Sequence, residues 1–327
     1  MKILYMAKTP LAGVCEKMAR TVNEYLRPEH EARVCSAGPG RHAWYVREPK
    51  KLVPRFSIKD EAHVKACVEW ADVIHCMANV GVRSPWFAKM DRARLLKNKT
   101  WVYQWHGAQI WPFERVWQPE DYPSVKFIHI GQGWLQTQPK FFGPFIRDQG
   151  LRVVPNIITG DDLAHRPMPW GVRLNRAAYS PSQQNESAVN RKGVNITLTA
   201  LRGTRYDLIS KVDFERCLLR KQKCKLGIDE VVTPMYHLSG LEFLAQGTPC
   251  ICSATPETEA NLTVATGCDR FPFIKATPDT LASVIKEYWL LSDEEQQAAG
   301  AAAREWFDKF YHPKILINRY IEVYGGV

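Results

Sequence analysis

The chain has 327 residues, 45% hydrophobic and 24% charged, a balance that excludes a disordered or fibrous protein and, at about 100–200 residues per domain, suggests two domains. Its 44 Lys and Arg outnumber its 34 Asp and Glu, a net charge of +10. The excess is one-sided: residues 1–156 hold 24 basic and 14 acidic side chains and residues 157–327 hold 20 of each, which points to a polyanion or an anionic membrane as partner of the first half, with solubility the plain alternative.

In chain order, residues 2–6 form a short apolar run, followed by the turn-rich Lys8-Thr9-Pro10-Leu11-Ala12-Gly13 and a helical stretch over 14–26. Apolar runs recur at 73–77, 101–105, 127–130 and 152–154. Helical patterns over 60–71, 85–97 and 132–142 separate them. This alternation predicts a parallel sheet with helices on both faces. Between 155 and 176 the pattern breaks, with Pro155, Pro167, Pro169, Gly160 and Gly171 crowded together, so 157–176 reads as a linker. Alternation then resumes: strands at 177–180, 206–209, 225–229 and 249–252, and helices over 190–201, 213–223, 238–246, 278–291 and 293–309. A last helical segment, 313–324, opens at Pro313 and is expected to return to the first domain. The fold class is thus α/β, with two Rossmann-like doubly wound domains (1–156 and 177–308) facing across a cleft, and a ligand is expected at the carboxyl ends of the strands.

The nine cysteines, at 15, 35, 67, 76, 217, 224, 250, 252 and 268, have no CxxC spacing and read as packed thiols of a reduced, cytoplasmic protein. No apolar run reaches about 18 residues, so nothing is expected to span a membrane, although peripheral attachment stays open.

The most informative stretch runs from Ile228 to Pro249. A strand leads through Asp229-Glu230 into a loop, a helix opens near Leu238, and Gly247 and Pro249 end it before the next strand. A helix N-terminus so placed suits a phosphate, and Glu242, about one turn inside, reads either as a partner of ribose hydroxyls or as a first-turn carboxylate that matches the helix dipole. The run Leu241-Glu242-Phe243-Leu244-Ala245-Gln246-Gly247-Thr248-Pro249 resembles the Glu-Ala-Met-Ala-x-Gly-Thr-Pro signature of the retaining GT-B glycosyltransferases, the glycosyl transferases group 1 type. Other segments resemble the same family: Pro10-Leu11-Ala12-Gly13, Ala71-Asp72-Val73-Ile74-His75, Tyr103-Gln104-Trp105-His106-Gly107, Val153-Val154-Pro155-Asn156 and Arg191-Lys192-Gly193.

The resemblance implies a nucleotide-diphosphate sugar as donor, held by Gly13, Arg191, Lys192, Tyr236, His237, Leu238, Ser239 and Glu242, with His106 as the catalytic residue beside the transferred sugar. It also implies transfer with retention of configuration and no resident cofactor. The leaving phosphate is answered by cations and helix N-termini rather than by metal, and the chain contains no Asp-x-Asp. The first glutamate of the family's Glu-x7-Glu motif falls at Pro234, and its Gly-Phe-Gly becomes Met235-Tyr236-His237. Asp229, Glu230 and His237 stand as alternatives for the missing carboxylate.

In this family the first domain receives the acceptor, which makes the basic half the acceptor half. Basic residues interleave with aromatics at Arg41, Trp44 and Arg47, at Trp111, Phe113, Arg115 and Trp117, and along Ser84-Pro85-Trp86-Phe87 into Lys89, Arg92, Arg94, Lys97 and Lys99. Ser84 reads as the N-cap of a helix there. Such clusters suit DNA, where phosphates meet cations and a flipped, hydroxymethylated base meets aromatic rings. They also suit a membrane-associated glycan or lipid-linked glycan, with Trp86, Phe87 and Met90 dipping into the surface. The alternative from another class is a non-catalytic nucleic-acid-binding protein on the same scaffold, to which Pro234 in place of Glu points.

Overall fold

The computed structural model describes residues 1–8, 13–36, 53–77, 80–105, 117, 119–129, 152–158, 165–181 and 193–325. They fall into two units: one holds the described residues up to Ile157 together with those from Pro313 onward, the other runs from Ile158 to His312.

The first unit is built on seven parallel strands: β1 (Lys2–Ala7), β2 (Glu31–Ser36), β3 (Arg55–Ser57), β4 (Val73–Met77), β5 (Thr100–Trp105), β6 (Val125–His129) and β7 (Arg152–Val153), in the order β3-β2-β1-β4-β5-β6-β7. That order reverses direction at β1/β4, as in a doubly wound nucleotide-binding sheet. Strands β1 and β4 read as nearly unbroken apolar runs because helices cover both faces of a parallel sheet. Helices α1 (Val14–Tyr25), α2 (Glu61–Trp70) and α3 (Arg92–Asn98) alternate with them. The sequence pattern missed β2 and β3, whose short, half-polar runs carry little periodicity.

The segment read as one helix over 85–97 is two elements. Pro85–Phe87 form a single 3-10 turn, and α3 begins afresh at Arg92 because the Asp91 side chain accepts from Arg94 N–H. Ser84 does not cap a helix; its hydroxyl accepts from Gly81 N–H instead. Phe87 is buried, and Trp86 and Met90 pack partly buried against the same core. Trp117 is likewise core, fully buried and edge-on to Trp101 and Tyr103, and is no wedge for a flipped base. The helix read over 132–142 lies outside the described residues.

The second unit carries five parallel strands: β8 (Leu174–Tyr179), β9 (Tyr206–Leu208), β10 (Cys224–Ile228), β11 (Cys250–Cys252) and β12 (Ile274–Lys275), ordered β12-β11-β10-β8-β9. Numbered within the unit this is 2-1-3-4-5, with the topological switch between β8 and β10. Its helices are α4 (Val194–Ala200), α5 (Phe214–Gln222), α6 (Leu238–Ala245), α7 (Pro256–Thr266), α8 (Leu281–Leu290) and α9 (Asp293–Trp306). Sequence periodicity missed α7, which has no apolar stripe, although Thr255 caps it onto Thr258 N–H and Gly267 ends it. A π-helical turn, Phe307–Tyr311, follows α9. The last helix, α10 (Pro313–Tyr324), belongs to the first unit. None of the described helices is long and apolar enough to cross a membrane.

Candidate functional site

In an open parallel sheet, ligands sit beyond the carboxyl ends of the strands at the switch point. In the second unit that point lies past Tyr179 of β8 and Ile228 of β10. The chain leaves β10 as Asp229-Glu230, both buried, and returns through Pro234 to enter α6 at His237. Thr258 donates its hydroxyl proton to the Pro234 carbonyl (2.9 Å), tying the loop to α7.

His237 occupies the N-cap of α6, but its side chain caps nothing in the helix. Its ring lies between two carboxylates, Nδ1 3.3 Å from Asp229 Oδ1 and Nε2 3.2 Å from Glu230 Oε2. Its backbone N–H donates to Asp229 Oδ2 at 2.7 Å. Burial pushes the Asp229 carboxyl up, but the His237 charge and the hydrogen bonds from His237 and Glu230 outweigh it, and the group rests below its ordinary value. Thr233 Oγ1 closes the cluster by donating to Glu230 Oε1. At the end of β8, burial pushes the Tyr179 phenol up to about 12, with the Glu230 and Asp229 charges adding to the effect. All three alternatives for the missing first glutamate of the motif therefore meet in one cluster.

Helix geometry leaves the N–H groups of Leu238, Ser239 and Gly240 without intrahelical acceptors. Leu238 and Ser239 are only partly buried. Gly240 lets the helix approach the carboxylates, since a Cβ there would stand 2.7 Å from Asp229 Oδ2. Further down, Phe243 lies across Gly227 of β10, where a Cβ would stand 2.4 Å from the ring. Glu242, one turn inside, is 5% exposed, and its Oε2 accepts from Lys221 Nζ on α5 at 2.6 Å. Lys221 also reaches Ser239 Oγ at 2.8 Å. Sequence reading passed over Lys221, one of several cations in the run Arg220-Lys221-Gln222-Lys223.

Gly193 closes the site from α4. It adopts φ 62° at the helix N-cap, and a Cβ there would stand 2.3 Å from Val232 Cγ2 in the loop after β10. The chain that follows Arg191-Lys192 therefore enters α4 in contact with the loop that leads to α6. In the first unit, Gly13 also takes a left-handed conformation, φ 68°, at the start of α1, as a glycine-containing loop beyond β1 requires.

Of the residues singled out in the sequence, His237, Leu238, Ser239 and Glu242 share one helix end. Tyr236 is fully buried and stacked on Phe273, rings 5.6 Å apart, so only its backbone faces the loop. His106, Arg191, Lys192, Arg41, Trp44, Arg47, Trp111, Phe113 and Arg115 lie outside the described residues.

No family model and no curated protein matches the sequence. Solved structures match along its whole length. A glycosyltransferase from Rickettsia africae ESF-5 has a TM-score of 0.65 at 13% identity, covering 99% of this chain and 97% of that one. Anabaena HepE, in complex with UDP and glucose, has a TM-score of 0.64 at 13% identity, covering 99% of each chain. An alpha-glucosyltransferase in complex with UDP and a 13-mer DNA containing an HMU base has a TM-score of 0.69 at 10% identity, again covering 99% of each. This chain has the GT-B glycosyltransferase fold.

Proposed function

We propose that this chain transfers a sugar, with retention, from a nucleoside-diphosphate sugar to a hydroxyl group carried by a modified base in DNA. The observation that carries the donor half is the end of α6, where three N–H groups without helical acceptors and Glu242 stand together beyond the switch strands of the second unit. A diphosphate is answered by the N–H groups and by Arg191 and Lys192, a ribose by Glu242. As the bond to the anomeric carbon breaks, negative charge gathers on the leaving phosphate, where these fixed dipoles and cations stabilise it most. His106, which follows Trp105 in sequence, is the residue assigned to the transferred sugar.

DNA is favoured as acceptor on two grounds. The basic excess lies wholly in residues 1–156, and of the apolar arm that a membrane reading uses, Phe87 is buried and Trp86 is partly buried against the same core. The alpha-glucosyltransferase bound to DNA is similar in fold over the full chain, which supports the same reading.

The test is a screen of UDP-, GDP- and ADP-sugars with mass detection of product, run on hydroxymethylated DNA and on lipid extract. Product on the DNA supports the proposal, and product on the extract alone moves the acceptor to a glycan. A folded chain that neither binds nor hydrolyses any of these sugars is the non-catalytic protein that Pro234 suggested. Within the screen, His106→Ala is expected to abolish most transfer while keeping the donor bound. Lys192→Ala is expected to weaken the nucleotide itself. DNA binding should fall steeply with log salt, and a flat profile counts against DNA.

A further inference from the structure

Lys221 is fully buried, with only 1% of its side chain exposed, yet it is charged. Burial alone would push its ammonium down; Glu242, helped by Cys217 and Asp229, outweighs that and holds it above the ordinary lysine value. Its three N–H bonds find three acceptors: Glu242 Oε2 at 2.6 Å, Ser239 Oγ at 2.8 Å and the Ser239 carbonyl at 3.4 Å. The ammonium also sits 4.8 Å from the centre of the Phe243 ring. The lysine is therefore saturated and out of reach of any ligand. Of the pair, Glu242 keeps more contact with solvent, at 7% of its side chain.

As a stabilising device this pair is a poor choice, because two apolar side chains of the same volume commonly do as well or better. What the pair does supply is one carboxylate fixed in place. Oε2 is held by the ammonium, so the carboxylate cannot turn away from the first turn of α6. As an anion it can only accept hydrogen bonds. A carboxylate restricted in this way selects a partner with hydroxyl donors and gains nothing from a partner without them.

We propose that Lys221 is a positioning residue that locks Glu242 as an oriented acceptor and so makes the site discriminate ribonucleotides from 2′-deoxyribonucleotides. The proposal rests on the donor reading given above. In that reading Glu242 faces the ribose; the lysine makes the difference between meeting a diol and meeting a single hydroxyl. In a nucleotide pool holding both kinds of sugar, that is a specificity device.

The test measures binding of UDP and of 2′-deoxy-UDP by calorimetry on the full chain. The wild type is expected to bind UDP about 10- to 100-fold more tightly, the range for a hydrogen bond to a charged group. Lys221→Met should bring that ratio below about threefold by weakening UDP alone, because the carboxylate loses the ammonium that holds its Oε2 in place. If Lys221→Met does not fold, Lys221→Gln, which keeps a donor for Ser239, takes its place. In a Glu242→Gln background, Lys221→Met should change the ratio by less than about twofold, since the lysine acts through the carboxylate. Equal weakening of both nucleotides is what a merely structural lysine gives, and it overturns the assignment, as does an unchanged ratio. Both of those outcomes leave the donor reading standing. Where UDP does not bind, the same pair of measurements is made with GDP or ADP and its 2′-deoxy form, and a folded wild type that binds none of the three overturns the two together.

Discussion

Gly240 and Asp229 are in contact because residue 240 has no side chain: a Cβ there would stand 2.7 Å from Asp229 Oδ2 and 2.9 Å from Phe273 Cε1. The absent methyl group lets the first turn of α6 settle onto the carboxylate that also holds His237 N–H at 2.7 Å. Gly240→Ala is therefore expected to push α6 off its seat. The cost should be about 1–3 kcal/mol, the range for overpacking a filled site. Nucleotide affinity should drop with it, since the N–H groups of 238–240 move. Urea unfolding together with UDP titration checks both, and a variant with wild-type stability and affinity would mean that the contact is slack.

His237→Ala removes the ring that stands between two buried carboxylates. The folded-state value of Asp229 lies below its unfolded value, so its contribution to stability is present above about pH 4 and is lost as pH falls through the lowered value. Without His237, burial is left to dominate and the sign reverses: the folded variant holds a proton that the unfolded chain releases. Its stability should then decline as pH rises above about 4. The deficit against wild type should be small near pH 4 and reach about 1–3 kcal/mol at pH 7. Denaturation midpoints at the two pH values measure it, and a deficit independent of pH would show that Asp229 is not the group involved.

These two sites show what the sequence could and could not disclose. Strands β1, β4, β5 and β10 were legible because a strand buried on both faces must be apolar along its length. Helix α6 was legible from its stop, Gly247-Thr248-Pro249. Lys221 was not, because nothing in Arg220-Lys221-Gln222-Lys223 separates a buried cation from solvated ones. Its burial is decided by Glu242, 21 residues away. The same holds for Trp86 and Trp117. An aromatic beside basic residues reads equally well as a binding surface or as core, and only the packing against Trp101 and its neighbours settles which. Helix α7 carries good end signals but no stripe, so a search led by periodicity passes over it.

At Gly193 the strain has two parts that can be separated. A side chain there meets both the left-handed backbone, φ 62°, and Val232 Cγ2 at 2.3 Å. Gly193→Ala is expected to cost about 1–3 kcal/mol. Val232 is 37% exposed, so trimming it in Val232→Ala should by itself cost little. The double variant should recover the packing share of the loss and leave the backbone share, giving a favourable coupling of about 0.5–1 kcal/mol. Strictly additive losses in a thermal or urea series would place the whole cost in the backbone.

The C-terminal helix α10 is tied to the first sheet through hydroxyl groups as well as apolar faces. Tyr324 Oη lies 2.7 Å from His75 Nδ1 and 3.2 Å from the Tyr5 hydroxyl, with all three side chains buried. Tyr320 donates to the Pro155 carbonyl at 2.7 Å, and Lys126 donates to the Val323 carbonyl at 2.8 Å, closing the end of the helix. Tyr324→Phe keeps the ring and deletes both of its polar contacts, so it should cost about 1–3 kcal/mol. Tyr5→Phe deletes only the longer one and should cost less. An equal loss from the two variants would place the stabilisation in the Tyr324–Tyr5 contact rather than in the bond to His75.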